Sequence, residues 1–351
     1  MIVHGIIGCG RVAPNHADAF RRRVDCQLKW ACDLDGDLAR TFAAEHGIGA
    51  VATDYRELLA DPDLVSVSVA VGHAAHASIV EDALHAGKHV LVEKPVALSL
   101  ATARRLRDCA LERGVRLEVV AQHRFDPLVM RVKQWVDGGL LGRLVMLNAT
   151  LQCARPADYY RDTWRGRWSS EGGSALINQG YHYIDLLSHL GGGIREARAC
   201  MDTIVLGDAI ETEDTLCAAV RYGCGALGTL SVTVGASVAW RSRVDVVGSE
   251  GSLSFDLDHP DTLHFAHGSQ ALLDAVAAFQ REPRAEEPPA GLDYYGISHR
   301  HQVARFCDAI VLDRATSDPA TGVETLEAIA LLYDAAAQAM PRRPAEEWWR
   351  C

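Results

Sequence analysis

Ile2-Val3-His4-Gly5-Ile6-Ile7-Gly8-Cys9-Gly10-Arg11-Val12-Ala13 is an apolar run that ends in a small-residue loop. Ile2–Gly8 reads as a parallel strand buried on both faces. Each small residue that follows has a physical reason. Gly8 allows a tight turn, Gly10 lets the backbone approach a pyrophosphate, and Ala13 permits close packing of helix on sheet. Arg11 and Val12 complete the loop, and a helix is expected over Asn15–Arg23. The start of that helix offers free N–H groups and a positive dipole end to an anion. A G-x-G-x-x-A pattern is common by itself. Here it follows a strand and opens a helix, the context a dinucleotide site requires.

Outward from this loop, strand and helix alternate. Strands are expected at Gln27–Asp33, Leu64–Val71, His89–Val92 and Arg116–Ala121, with helices at Gly36–His46, Ala77–Ala86 and Leu100–Arg113. That alternation implies an α/β fold whose first domain, residues 1–122, is a doubly wound parallel sheet of Rossmann type. Asp33 ends the second strand about 20 residues after the glycines, where a carboxylate accepts from the adenosine ribose hydroxyls. Its charge repels a 2′-phosphate, so NAD is favoured over NADP. The plainer alternative is that Asp33 caps the turn Asp33-Leu34-Asp35-Gly36.

The pattern changes after Gln122. A helix is expected at Pro127–Gly138, a long strand at Arg143–Ala154 and a helix at Leu176–Leu190. Strand-like runs follow at Ala197–Leu206, Thr215–Tyr222, Ala226–Gly235, Arg243–Gly248 and Ser252–Leu257. Short turns between them imply a mostly antiparallel sheet. Arg281–Ala290 reads as an exposed loop, and helices at Ser298–Leu312 and Gly322–Met340 close a second α/β domain, residues 123–351.

Composition narrows the function classes. The 351 residues are 48% hydrophobic and 23% charged, the profile of a soluble globular protein of two domains. A net charge of -11 argues against nucleic acid or an anionic membrane as partner. No segment has the apolar length to cross a bilayer, and the N-terminus lacks a signal peptide's basic start, so a cytoplasmic location is expected. The ten cysteines show no C-x-x-C and no zinc spacing. Cys9, Cys32, Cys109, Cys217 and Cys307 lie in apolar stretches and read as buried, reduced thiols.

Glu93-Lys94-Pro95 closes the His89–Val92 strand. Ligands of doubly wound sheets lie beyond the carboxyl ends of strands, so Lys94 is placed toward the cofactor. Ala86-Gly87-Lys88-His89-Val90-Leu91-Val92-Glu93-Lys94-Pro95 resembles the hallmark of the glucose-fructose oxidoreductase / inositol dehydrogenase / rhizopine-catabolism (Gfo/Idh/MocA) family. The resemblance continues through Gln122-His123-Arg124-Phe125, Gly172-Gly173-Ser174, Asn178 to Asp185, Glu213-Asp214-Thr215 and Gly248–Ser252. It implies a Rossmann domain followed by an open-faced α/β domain whose sheet often forms the oligomer interface, here in a homodimer or homotetramer. It also implies NAD(P)-dependent hydride transfer at a carbinol or ketone carbon of a sugar, nucleotide-sugar or cyclitol.

The chain departs from the family in two places. Where the family has Asp four residues before His on one helix, this chain has Asn178 and His182. Asn holds a hydroxyl but cannot take its proton. Lys94 and His182 are therefore the expected acid/base pair, His182 because its pKa is near neutral. A structural histidine beside Asp185 is the alternative. Asn178→Asp is expected to be tolerated. Where the family has Thr-Pro, this chain has Val71-Gly72, with His73 and His76 in a loop expected to border the cofactor, as are Glu93 and Gln122. No metal is assigned. Arg155, Arg161, Arg165 and Arg167 are interleaved with Tyr159, Tyr160, Trp164 and Trp168 just before the catalytic helix. Aromatic faces stack on sugar rings and arginine forks bind carboxylate or phosphate, which makes Tyr159, Trp164 and Arg165 candidate substrate residues beside Asn178. An arm packing on a neighbouring subunit is the alternative. Two other functions fit the scaffold: NAD-dependent cleavage of a glycoside without net NADH, and a non-enzymatic dinucleotide-binding regulator.

Overall fold

A computed structural model describes the chain except residues 162, 258, 260, 284–292, 313–320 and 339–351. Its first half alternates β1 (Ile2–Ile7), α1 (Ala13–Arg21), β2 (Cys26–Cys32), α2 (Gly36–His46), β3 (Ala50–Ala52), α3 (Tyr55–Leu59), β4 (Ser66–Val69), α4 (His73–His85), β5 (His89–Val92), α5 (Leu100–Arg113) and β6 (Leu117–Val119). The strands form one sheet in the order β3-β2-β1-β4-β5-β6, every pair parallel. The order reverses between β1 and β4, which opens a crevice at their carboxyl ends. Gly8 sits there at φ 92, where a Cβ would lie 2.4 Å from the Ala70 carbonyl oxygen. Only glycine fits this crossing.

Two short elements, β3 and α3, escape the sequence reading because three strand residues and five helix residues carry almost no periodic signal. A second difference bears on the site. α4 starts at His73, not Ala77, so His73 and His76 lie on its first turns rather than in a loop.

The second half comprises α6 (Pro127–Asp137), β7 (Leu144–Ala154), α7 (Tyr181–Gly191), β8 (Ile194–Asp202), β9 (Thr215–Tyr222), β10 (Leu227–Thr233), β11 (Gly235–Gly248), β12 (Gly251–Phe255), β13 (Leu263–Gly268), α8 (Gln270–Arg281), α9 (Asp293–Val311) and α10 (Thr321–Gln338). The sheet order is β13-β12-β11-β7-β10-β9-β8, antiparallel except where β7 meets β10. β13 and α8 were not anticipated. Leu272, Val276 and Phe279 of α8 are buried at helical spacing, a pattern available in the sequence. Most of the expected loop Arg281–Ala290 lies outside the described residues.

One face of this sheet is buried under α7 and α10, and the other is open. β9 shows the alternation: Leu216, Ala218, Val220 and Tyr222 are buried between exposed Cys217, Ala219 and Arg221. Cys217, on the open face of β9, is thus exposed, and Cys109, on α5, is partly exposed, both against expectation; Cys9, Cys32 and Cys307 are buried, and all are free thiols.

α9 returns to the first sheet and packs on α1. Val303, Phe306 and Cys307 join Ile2, Phe20 and Leu91 in a buried cluster, and Arg300 pairs with Asp18 at 2.6 Å. Burying a phenylalanine such as Phe306 is worth about 2–3 kcal/mol. That holds the start of α9, with His299, against the crevice.

Candidate active site

The crevice widens into a cavity of about 670 Å³ between the two sheets. Its cofactor end is built by Gly8, Gly10, Arg11, Val12, Asp33, Leu34 and Thr53. A Cβ on Gly10 would meet nothing within 4 Å, so this loop leaves open space beside its backbone. Among the described residues, the amides of Gly10, Arg11 and Val12 have no backbone acceptor. Free donors ahead of α1 are what a pyrophosphate needs. The Asp33 carboxylate accepts from the Cys9 amide at 2.8 Å and the Asp35 amide at 3.0 Å while lining the cavity. It therefore does shape the turn, and each oxygen keeps a lone pair for a ribose hydroxyl. Gln122 is buried on the cavity wall, and among the described residues its Oε1 has no partner. An orphan acceptor is costly unless a ligand supplies a donor. These residues fit a dinucleotide.

At the far end, β5 delivers Glu93 and Lys94 side by side. Glu93 Oε1 accepts from His16 Nε2 at 3.0 Å and lies 3.5 Å from His299 Nε2. Burial opposes its ionisation, but these two imidazoles outweigh burial and hold its pKa well below the usual carboxylate range. The donor atoms of His16, Glu93 and His299 all lie within 4.8 Å of one another. Behind them a chain of buried polar groups continues, His16 Nδ1 to Ser68 Oγ at 3.1 Å and Ser68 Oγ to His4 Nε2 at 3.0 Å. Hydrogen bonds alone account for this group, which fixes Glu93 and thereby the backbone that aims Lys94.

Lys94 Nζ donates to the Asn178 carbonyl at 2.9 Å and to Asn178 Oδ1 at 2.8 Å. Burial lowers its pKa to about 8; Glu93 and Glu171 pull it back up and Arg165 pushes it further down. Asn178 Nδ2 in turn donates to Glu171 Oε1 at 2.6 Å. Glu171 is fully buried, and its other oxygen accepts from the Gly166 amide. Sequence reasoning missed Glu171. The signal was its place immediately before Gly172-Gly173 in the segment that carries Asn178.

The local fold explains how Asn178 gets there. Residues Ala175–Gly180 form a π-helical turn before α7, rather than the first turns of one α-helix as expected. The buried Glu213 carboxylate accepts from the amides of Ser174 at 3.1 Å and Leu176 at 2.8 Å, so the turn starts on a side-chain acceptor. Gly173, at φ 136, leaves room for the Tyr333 hydroxyl, which a Cβ would approach to 1.9 Å. π turns recur at functional sites because they redirect one or two side chains. Asn178 and His182 both still line the cavity.

His182 departs from expectation. Burial first, then His123 and Lys94, hold its pKa well below 6.5, so its imidazole is neutral at physiological pH. Its ring meets that of His123 edge to face, centroids 4.9 Å apart, and His123 Nδ1 bonds Asp126 Oδ2 at 2.7 Å. Asp185 is not its partner. That carboxylate takes Arg124 at 2.7 and 2.9 Å and the Thr325 hydroxyl at 2.6 Å, a structural lock. His76 is also structural: buried, bonded to the Pro95 carbonyl at 2.7 Å and the Val71 carbonyl at 3.1 Å, and away from the cavity lining. His73 remains on the wall, its Nδ1 on the Glu171 carbonyl at 2.9 Å and its ring 4.5 Å from that of Trp164.

The arginine–aromatic loop divides. Arg155, Tyr159, Trp164 and Arg165 line the cavity. Arg161 pairs with Asp158 at the surface, the Tyr160 hydroxyl bonds Ser174, and Trp168 hangs on Glu211.

Known proteins match this arrangement across both halves. Residues 2–121 match a family model described as oxidoreductase family, NAD-binding Rossmann fold. Residues 129–254 match the GFO/IDH/MocA C-terminal domain. An uncharacterized oxidoreductase of Bacillus subtilis, YrbE, is 28% identical over 336 residues, 93% of this chain and 91% of that one. The myo-inositol 2-dehydrogenase of Thermotoga maritima is 26% identical, over 82% of this chain and 89% of that one. The WlbA dehydrogenase of Bordetella pertussis, solved with NADH and UDP-GlcNAcA, superposes with a TM-score of 0.84 at 25% identity, covering 97% of this chain and 98% of that one. The glycine loop and Lys94 fall in the first matched segment, Asn178 and His182 in the second, and the chain belongs to the Gfo/Idh/MocA family of oxidoreductases with an NAD-binding Rossmann domain.

Proposed function

We propose that this protein is an NAD-dependent dehydrogenase that oxidises a secondary hydroxyl of a sugar, sugar derivative, nucleotide-sugar or cyclitol, or reduces the matching ketone. The observation that carries the reading is Lys94, an amine with pKa near 8 on the cavity wall, tied at two points to one asparagine. NAD, when bound, accepts the hydride at its nicotinamide ring. A neutral Lys94 has two N–H donors and one lone pair. The Asn178 carbonyl and Oδ1 take both donors, which leaves the lone pair for the substrate's hydroxyl proton. Glu171 accepts from Asn178 Nδ2 and so fixes the amide with its oxygen toward Lys94. His182, being neutral, holds the same hydroxyl by a hydrogen bond rather than sharing its proton. Tyr159, Trp164 and Arg165 would contact the rest of the ring.

The cofactor assignment extends to Arg11, Val12, Asp33, His73, Glu93 and Gln122 through their places on the wall. We retain the division into 1–122 and 123–351, with α9 lent back to the first unit. We also propose a cytoplasmic homodimer or homotetramer assembled on the open sheet face. Free thiols at nine described cysteines support the reducing compartment, and among the described residues no helix is long and apolar enough to cross a membrane.

The test is a panel of sugars, uronates, cyclitols and nucleotide-sugars read by NADH absorbance, with sugar release measured in parallel. Net NADH from a panel member is the expected result. Release of a sugar from a glycoside without net NADH would instead make this a glycoside-cleaving enzyme. Tight NAD binding with neither activity would make it a regulator.

A further inference from the structure

Arg165 differs from the arginines that pair with carboxylates near the interior. Arg116, Arg124 and Arg300 each meet a carboxylate, at 2.7, 2.7 and 2.6 Å. The Arg165 guanidinium lies against the Tyr159 ring at 4.6 Å and the Trp164 ring at 4.7 Å. Its Nε is buried without a partner, and among the described residues no side-chain hydrogen bond or ion pair engages the group. This occurs in a chain of net charge -11, where acceptors are plentiful.

Arg155 repeats the arrangement. Its guanidinium lies 5.4 Å from the same Tyr159 ring and 5.3 Å from Trp240, and its Nε is likewise buried with no partner among the described residues. Two of its nitrogens touch only neutral oxygens, the Ala154 carbonyl and Gln179 Oε1. The nearby carboxylates are committed elsewhere, Glu171 to Asn178 and Gly166, Asp158 to Arg161. Two cations thus share one aromatic ring on the cavity wall, with Lys94 a third on the same wall. Glu171 acts electrostatically on both Lys94 and Arg165, but its oxygens are taken by Asn178 and Gly166. Among the described residues no carboxylate therefore pairs with either guanidinium, and an incoming oxyanion would relieve the repulsion between them. The aromatic rings pack against the planar forks on the cavity wall, and a guanidinium fork grips an oxyanion with paired N–H bonds.

Resting on the dehydrogenase reading, we propose that the substrate is an acidic sugar whose oxyanion, a ring carboxylate or a phosphate, is seated on Arg165 and Arg155. The anion sits at the end of the cavity away from the glycine loop and directs the reacting hydroxyl toward Lys94.

The experiment compares matched triplets such as glucose, glucuronate and glucose 6-phosphate, with the corresponding N-acetylated sugars. Each is measured for NADH formation and for calorimetric binding to the NAD-loaded full chain, in wild type, Arg165→Met and Arg165→Lys. The acid or the phosphate is expected to bind at least tenfold tighter than its neutral partner, and whichever does so identifies the source of the oxyanion. Arg165→Met should weaken that ligand about 10- to 100-fold, the loss of a charge-assisted pair, with NAD affinity unchanged. Arg165→Lys, which keeps charge but not the fork, should fall between. Neutral sugars oxidised as well as their acids, or an anion preference untouched by both variants, would overturn the proposal and leave the dehydrogenase reading standing. Arginine-dependent anion binding without turnover of any panel member would do the reverse. If Arg165→Met fails to fold, the wild-type affinity ratio decides.

Discussion

The two ends of the cavity are built on opposite principles. At the glycine loop, the wall is built from backbone: among the described residues the amides of Gly10, Arg11 and Val12 have no backbone acceptor, and the Asp33 carboxylate is itself held by two amides. At the Lys94 end, the wall is built from side chains held by other side chains, Lys94 by Asn178, Asn178 by Glu171, Arg165 by Tyr159 and Trp164. The first kind tolerates sequence change wherever the backbone path survives. The second is a chain in which each link depends on the next. Substitutions at the side-chain end should therefore cost more in turnover than those at the loop cost in binding.

Lys94→Met is the severest test. It removes the group assigned the hydroxyl proton, and general acid–base contributions of this type are worth about 10²–10⁴ in kcat. NAD affinity, measured by fluorescence, should change little. In wild type, oxidation should accelerate as pH rises through about 8, because Lys94 must shed its proton to act as base; reduction should slow over the same range. Turnover of Lys94→Met near the wild-type rate would remove the contrast between the two ends and the acid/base assignment with it.

Glu171→Gln tests the next link. Gln offers one oxygen where Glu offers two, so it cannot accept from both Asn178 Nδ2 and the Gly166 amide. Loss of that hold should lower kcat about 10- to 100-fold, the range of a charge-assisted hydrogen bond. The carboxylate also raises the Lys94 pKa. Its neutral replacement lowers it, so the pH at which oxidation accelerates should move down. A kcat loss with an unmoved pH profile would mean that Glu171 acts through packing alone.

Glu171 also shows where sequence stops being informative. The glycine loop and Lys94 were legible because local rules place them: a strand, a turn only glycine can make, and a helix start. The alternation that implied two sheets was legible for the same reason. The sequence reads Asn178 as the loss of the carboxylate that the family carries there, and names no replacement for it. The replacement stands seven residues earlier and reaches Asn178 through a π turn that Glu213 and Gly173 impose. No periodicity encodes that. The same contact reverses the expectation for Asn178→Asp, which would set two carboxylates where 2.6 Å now separates a donor from an acceptor. His182 was misread for a related reason. A histidine's sequence context carries its ordinary pKa, while burial against His123 and Lys94 sets the actual one.

At the backbone end the effects should be smaller and confined to binding. Asp33→Asn removes the charge while keeping an acceptor for the Cys9 amide at 2.8 Å. The preference for NAD over NADP should fall about tenfold, equivalent to about 1.4 kcal/mol of lost repulsion toward a 2′-phosphate. Asp33→Ala should lose more NAD affinity than Asp33→Asn, since it also frees two loop amides. If both variants keep the wild-type preference in titrations with the two cofactors, Asp33 serves the turn and not the ribose.

His182 stands between the two ends and gives the finest discrimination. A protonatable histidine sharing the proton with Lys94 would contribute as a second acid/base group, and its loss would reshape the pH profile. A neutral, buried histidine contributes one ordinary hydrogen bond, worth about 0.5–1.5 kcal/mol. His182→Asn should thus lower kcat only about 3- to 10-fold and leave the pH dependence where Lys94 puts it. Asn can replace the hydrogen bond but reaches less far, so part of the loss is geometric and should show in KM as well. The decisive readout is the profile of kcat against pH. A loss of 10²-fold or more accompanied by a vanished titration would return the proton to His182. It would also show that bound NAD and substrate raise the imidazole's pKa far above the value its burial against His123 and Lys94 dictates.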